Sequence, residues 1–160
     1  LKNKLWFYEQ KYLGFNYRMN EIEASLGISQ LKKINSFSEK RNKLAKRYKK
    51  KMLNLPIKFQ KIDEKNYSSY HLFIINLLKN KHIKKYDKIF NFLRNKRIFV
   101  QKHYIPIYKH PYYKKILGEL YFENCENFSN SAISLPLYPS LSIKEQDFVI
   151  DNLKKALTKF

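Results

Sequence analysis

The stretch LGFNYRMNEIEASLGISQLKK, residues 13–33, breaks the habit of a chain otherwise crowded with lysine. It holds two of the three glycines and no lysine before its last two positions. Asn20 stands three residues ahead of Glu23, the capping-box spacing in which the side-chain amide oxygen accepts from a free helix N–H and the carboxylate reaches back. A helix is predicted to start there. Ile22, Ala24, Leu26, Ile28, Leu31 and Ile34 leave few polar positions, so the helix reads as buried. Gly27 within it costs about 1 kcal/mol against alanine unless close packing needs the space.

Downstream, Phe37, Arg41, Leu44, Tyr48 and Met52 recur at helical spacing and predict a second helix, from about Ser36 to Leu55-Pro56, with one apolar stripe and a basic back. YHLFIINLL, residues 70–78, is a continuous apolar run too short for a typical helix and predicts a core strand covered on both faces, with His71 a satisfied core histidine. Ile83, Tyr86, Ile89, Phe90 and Leu93 mark an amphipathic helix. IFVQKHYIP, residues 98–106, predicts a further strand, giving the order strand, helix, strand. Ser142 and Glu145 form a second capping box ahead of a closing helix with Phe148, Val149, Leu153 and Ala156 on its apolar stripe. The fold class is α/β: two leading helices, a small sheet with crossing helices, and a terminal helix packing back.

Composition narrows the function classes. The chain has 160 residues, 44% hydrophobic and 16% aromatic, enough for one real core. No run approaches the roughly 20 apolar residues of a membrane span, and the N-terminal LKNKLWFYEQ lacks the apolar centre of a secretion signal, so a cytoplasmic protein is expected. The single cysteine, Cys125, has no disulfide partner and no companions for a zinc cluster. The chain begins at Leu1 rather than Met, so a longer parent protein is expected.

A net charge of +20 raises the possibility of a basic module for nucleic acid or an anionic surface. Its pattern weighs against that reading. The lysines spread over every polar face, and the densest run, KRNKLAKRYKKK at residues 40–51, keeps its apolar residues at helical spacing, which makes the run a solvated helix face.

Chemistry-bearing residues gather in IFVQKHYIPIYKHPYY, residues 98–113. Strand alternation places Gln101 and His103 on one face of a strand end and Lys102 and Tyr104 on the other, before Pro106 interrupts pairing. Such groups suit a polyhydroxylated or phosphorylated ligand. A packed, hydrogen-bonded histidine is the competing reading of His103. Gly-x-Ser-x-Gly, Walker, Gly-x-Gly-x-x-Gly and His-Glu-x-x-His patterns are all missing from the sequence. A phosphate has two candidate donors near the opening stretch, the Asn16 amide and the free N–H groups of the helix start beside it.

GFNYRMNEIEASLGISQLKKI, with the arginine and tyrosine of EKRNKLAKRY, resembles a segment of the DegT/DnrJ/EryC1/StrS family of pyridoxal-phosphate-dependent sugar aminotransferases. SSYHLFIINL resembles that family's core strand, FVQKHYIPIYKHPYY its substrate-side strand and loop, and ENFSNSAISLPLYPSLSIKEQDFVIDNL its closing section. The details of QKHYIPIYKHPYY and SLPLYPSLS are most similar to the branch acting in pseudaminic acid biosynthesis. Four ordered blocks cover nearly the whole chain.

The resemblance implies the small C-terminal α/β domain, with flanking helices, of a fold-type I aminotransferase. Residues 1–55 would end the large domain and supply connecting helices, with a dimer- and cofactor-facing turn at 13–20, and residues 56–160 would form the small domain. It implies transfer of an amino group from glutamate to the 4-keto carbon of a UDP-linked 6-deoxy-N-acetyl-hexosulose, with pyridoxal 5'-phosphate as electron sink. It also implies a homodimer with shared active sites, no nucleic-acid partner and no membrane. The Schiff-base lysine of such enzymes precedes the Asn-x-Arg turn, so no catalytic residue is expected in this chain, which alone would be inactive. Asn16 takes the position that reaches the partner subunit's cofactor phosphate, with Arg18 beside it for anion contact. Gln101, Lys102, His103 and Tyr104 take the wall that meets the nucleotide-sugar.

The sequence departs from the family's pattern in places. Arg97 replaces a glycine after the helix and puts the positive-φ geometry of that turn in question. Lys102 replaces a small apolar residue, and Glu123 and Cys125 replace proline and alanine. A third reading is an interaction domain descended from an aminotransferase.

Overall fold

The computed structural model describes residues 5–15 and 17–160. The chain forms two compact units, Leu1–Ile34 and Asn35–Phe160.

The first unit contains helix α1, Glu21–Leu31. Its capping box forms as the sequence predicts: the Glu23 N–H donates to Asn20 Oδ1 at 2.9 Å and the Asn20 N–H donates to Glu23 Oε2 at 3.1 Å. The expected burial does not follow. No residue of α1 is buried, and Ile22 is 82% and Leu31 68% exposed. The apolar positions are spread round the helix rather than gathered in one stripe, and such a composition shows that covering would be favourable, not that this chain supplies the cover. Close packing does not explain Gly27 either, since a Cβ there meets nothing within 4 Å.

The second unit begins with most of helix α2, Ile34–Lys51, which buries the predicted stripe at Leu44 and Tyr48 and continues it to Met52. The lysine run lies largely on its exposed faces. Strand β1, Ile57–Phe59, pairs antiparallel with β2, Phe73–Leu77, which pairs antiparallel with β3, Ala132–Leu135. The sheet order is β1-β2-β3, with Phe59 opposite Ile75 and Ile75 opposite Ile133. This corrects the expectation for residues 70–78. Phe73, Ile75 and Leu77 are buried while Ile74 and Asn76 are half-buried, the alternation of an antiparallel sheet packed mainly on one face. His71 is exposed rather than a core residue, because it precedes the first paired position of β2. The buried histidine is His82, in the short helix α3, Asn80–Ile83. Its Nε2–H donates to Leu157 O at 3.0 Å.

Helix α4, Tyr86–Asn95, ends in a Schellman arrangement: the Arg97 N–H donates to Arg94 O at 2.9 Å and the Ile98 N–H donates to Leu93 O at 3.0 Å. Arg97 adopts φ +59°, so the turn keeps its left-handed geometry without glycine. Ile98 and Leu93, at 3% and 0% exposure, provide the apolar contact that accompanies this motif. The strand expected at 98–106 does not form. The chain leaves the helix through a left-handed residue, the Val100 N–H turns back to Ile98 O at 2.8 Å, and only Gln101 pairs with Ser134, in an isolated antiparallel bridge. β2 is flanked instead by two edge strands, β1 and β3, both of which the sequence reading passed over.

A 3₁₀ turn, Ile107–Lys109, and helices α5, Pro111–Leu117, and α6, Glu123–Ser131, lead into β3. Helix α7, Ile143–Lys159, closes the unit behind its predicted capping box, burying Val149, Leu153 and Ala156 but leaving Phe148 half exposed. Gln146, fully buried, ties it to α2: its Nε2–H donates to Leu44 O at 2.8 Å and its Oε1 accepts from Arg47 Nη1 at 3.0 Å. Tyr48 stacks on Phe73 at 4.9 Å and donates its hydroxyl to Pro136 O at 3.0 Å. No helix among the described residues is long and apolar enough to cross a membrane.

Candidate functional site: a clamped segment and an exposed turn

The segment from Gln101 to Lys109 carries the residues singled out in the sequence, and it has almost no backbone pairing. Side chains of α6 and β3 fix it instead. The imidazole Nδ1 of His103 lies 2.7 Å from Ser134 Oγ on β3. One residue on, the Ser129 hydroxyl donates to Tyr104 O at 3.3 Å. At the far end the Tyr108 hydroxyl donates to Glu126 Oε1 at 2.8 Å, and Lys109 Nζ bonds Glu126 Oε2. Glu126, Ser129 and Ser134 are 7%, 5% and 5% exposed, so each is a buried polar group whose partner lies on the segment. The ion pair with Lys109, then the Tyr108 hydrogen bond, holds the Glu126 carboxyl below its ordinary value. Burial and the same carboxylate push the Tyr108 hydroxyl up.

With no strand to impose alternation, the four candidates are arranged differently from the sequence expectation. Gln101 is exposed, Lys102 and His103 are half-buried, and Tyr104 is 69% exposed. Lys102 Nζ sits 4.9 Å from the centre of the Tyr86 ring, a cation–π contact, rather than standing free in solvent. The Tyr86 hydroxyl, which donates to Ala132 O at 2.9 Å, is raised to about 12 by burial and by Asp87. The His103 ring meets Tyr104 edge-on at 4.6 Å. Beside the segment lies an open apolar hollow of about 510 Å³ lined by Tyr104, Pro106, Tyr108, Phe122 and Phe128 among others. Tyr104 brings a phenol to that hollow, while Gln101, Lys102 and His103 lie on the segment leading to it, polar groups of a kind suited to a phosphorylated ligand.

Sequence reasoning missed Glu126, Ser129 and Ser134. A signal was present: ENCENFSNS has polar residues at the three-residue helical spacing of Glu126 and Ser129, where a packed helix ordinarily shows apolar ones. Of the departures, Glu123 stands in the first turn of α6, where an acidic side chain complements the helix dipole, and Cys125 is exposed on that helix.

The other candidates belong to the first unit. Asn16 lies outside the described residues, and Arg18 is exposed. The helix start beside them does not suit a phosphate. Its capping box already engages the Asn20 and Glu23 N–H groups, and Glu21 and Glu23 place carboxylates in the first turn. The guanidinium of Arg18, by contrast, is exposed, with its fork of donors open to an anion.

Residues 2–154 match the model of the DegT/DnrJ/EryC1/StrS aminotransferase family. The chain belongs to that family. It is 37% identical, over 99% of its length, to the UDP-4-amino-4,6-dideoxy-N-acetyl-beta-L-altrosamine transaminase of Campylobacter jejuni serotype O:2, and 31% identical to the Helicobacter pylori protein of the same name. Among solved structures it superposes along its whole length on Helicobacter pylori PseC, an aminotransferase involved in the biosynthesis of pseudoaminic acid, with a TM-score of 0.86 at 30% identity. It matches the PMP form of a sugar aminotransferase from Streptococcus pneumoniae, Spr1654, with a TM-score of 0.87 at 26% identity. The chain spans 42% of the Campylobacter relative and 43% of the PseC chain. The fold is thus that of an α/β portion of such an aminotransferase.

Proposed function

We propose that the full-length protein is a pyridoxal-phosphate-dependent aminotransferase that moves an amino group from glutamate to the 4-keto carbon of a UDP-linked 6-deoxy-N-acetyl-hexosulose, on the route to pseudaminic acid or a related glycan. The observation that carries this reading is the 37% identity to the Campylobacter transaminase across 99% of the chain. Pyridoxal 5'-phosphate, when bound, supplies the electron sink for amino transfer. This chain's part is to bind and orient. Arg18, with Asn16, would hold the cofactor phosphate in the partner subunit of a homodimer, and Gln101, Lys102, His103 and Tyr104 would form the wall against the nucleotide-sugar. Residues 1–55 then end the large domain and 56–160 form the small one, with the cofactor-bearing lysine outside this chain. The exposed apolar surface of α1 fits a helix completed by the rest of a dimeric enzyme.

The test is spectroscopic. Full-length protein loaded with cofactor should lose its yellow absorbance on adding glutamate and regain it on adding the UDP-keto-sugar. An absorbance that glutamate leaves unchanged would refute the donor, and one that the keto-sugar fails to restore would refute the acceptor. Asn16→Ala and Arg18→Ala should each weaken cofactor retention, measured by dialysis, and unchanged retention would remove them from the phosphate site.

A further inference from the structure

Ser134, 5% exposed, pairs with Ile74 on the face of the sheet opposite Ile133 and Leu135, and its backbone is used: its N–H donates to Gln101 O at 2.9 Å and its carbonyl accepts from Gln101 N–H at 3.2 Å. Its hydroxyl has one partner among the described residues, His103 Nδ1 at 2.7 Å. A buried hydroxyl proton needs an acceptor, and here the imidazole nitrogen is the atom in reach. With that proton donated to Nδ1, the ring's own proton sits on Nε2. Edge-on contact with Tyr104 at 4.6 Å further restricts the ring. The backbone around His103 has no ladder to hold it, so without this bond little fixes the imidazole's orientation.

We propose that Ser134 is a positioning residue: its hydroxyl locks His103 in the Nε2–H tautomer and so presents a fixed N–H donor to an oxygen of the bound nucleotide-sugar. The role of the donor rests on the functional reading above, whereas the tautomer does not. Ser134 acts only through His103, and Glu126 and Ser129 anchor the rest of the segment without touching that ring.

Two measurements on the full-length protein decide the matter. Ring nitrogen NMR at mildly alkaline pH, with the His103 signal assigned by its loss in His103→Ala, should show the Nε2–H form in the wild type and a mixture of tautomers in Ser134→Ala. A wild-type ring protonated on Nδ1, or equal tautomer populations in the two proteins, overturns the proposal. In steady-state kinetics Ser134→Ala should raise KM for the UDP-keto-sugar about threefold to tenfold, with kcat within about twofold, the range of one positioned hydrogen bond. The same substitution made in a His103→Ala background should cost nothing more. Penalties that add in the double variant overturn the proposal, since Ser134 would then act independently of the ring. If the protein does not turn over the nucleotide-sugar, the functional reading falls and the tautomer measurement alone decides Ser134.

Discussion

Replacing Arg97 with glycine should stabilise the second unit. Arg97 sits at φ +59°, a conformation that costs an L-residue roughly 1–2 kcal/mol. The bonds that close the helix, Arg97 N–H to Arg94 O and Ile98 N–H to Leu93 O, come from the backbone and survive the change. The side chain is exposed, so little packing is lost. Glycine returns part of the gain through its larger unfolded-state entropy, about 0.5–1 kcal/mol. The balance is a stabilisation of about 0.5–1 kcal/mol, which for a chain of this size raises Tm by roughly 1–4 °C. Thermal unfolding followed by circular dichroism reads it. Two controls separate conformation from charge. Arg97→Ala keeps the positive-φ cost and should leave Tm almost unchanged, whereas Lys96→Gly, one residue earlier at φ −84°, should lower it. A Tm for Arg97→Gly at or below the wild type, or equal rises for Gly and Ala, would refute the reasoning.

Three further outcomes follow from buried polar groups. The Glu126 carboxyl is held below its ordinary value of 4.5, so its clamp is fully present above that pH and is lost as pH falls through the lower folded value. Urea midpoints of wild type and Glu126→Gln should converge in acid, and a constant gap would refute the clamp. His82 is lowered from 6.5, mainly by burial, so it favours folding above that pH and opposes it increasingly below. His82→Gln should flatten the fall in urea midpoint across that window. Tyr48→Phe, which leaves Pro136 O without its donor, should cost about 1–3 kcal/mol in chemical denaturation.

Helix α2, α4 and α7 were legible because their burial is one-sided and local: a stripe at helical spacing, or a capping box such as Ser142 with Glu145, is decided by neighbours in sequence. The sheet was less so. Residues 70–78 look continuously apolar, but the ladder takes only Phe73 to Leu77, and which strands it joins depends on partners far along the chain. The failed strand at 98–106 has a specific cause, since the left-handed Arg97 and the turn at Ile98–Val100 spend the approach before pairing begins. Its candidate residues were found by type, whereas Ser134 and Glu126 were not. A serine inside AISL carries no sign in sequence that its hydroxyl meets a histidine 31 residues away.

The segment from Gln101 to Lys109 is fastened by individual side chains rather than by a ladder. A ladder constrains every residue it contains, because a slip at one position moves all the others. Point fastenings do not. Residues between the anchors, Ile105 and Pro106 among them, can be exchanged without unzipping β3, so the surface this segment presents can change while the sheet beneath it stays the same.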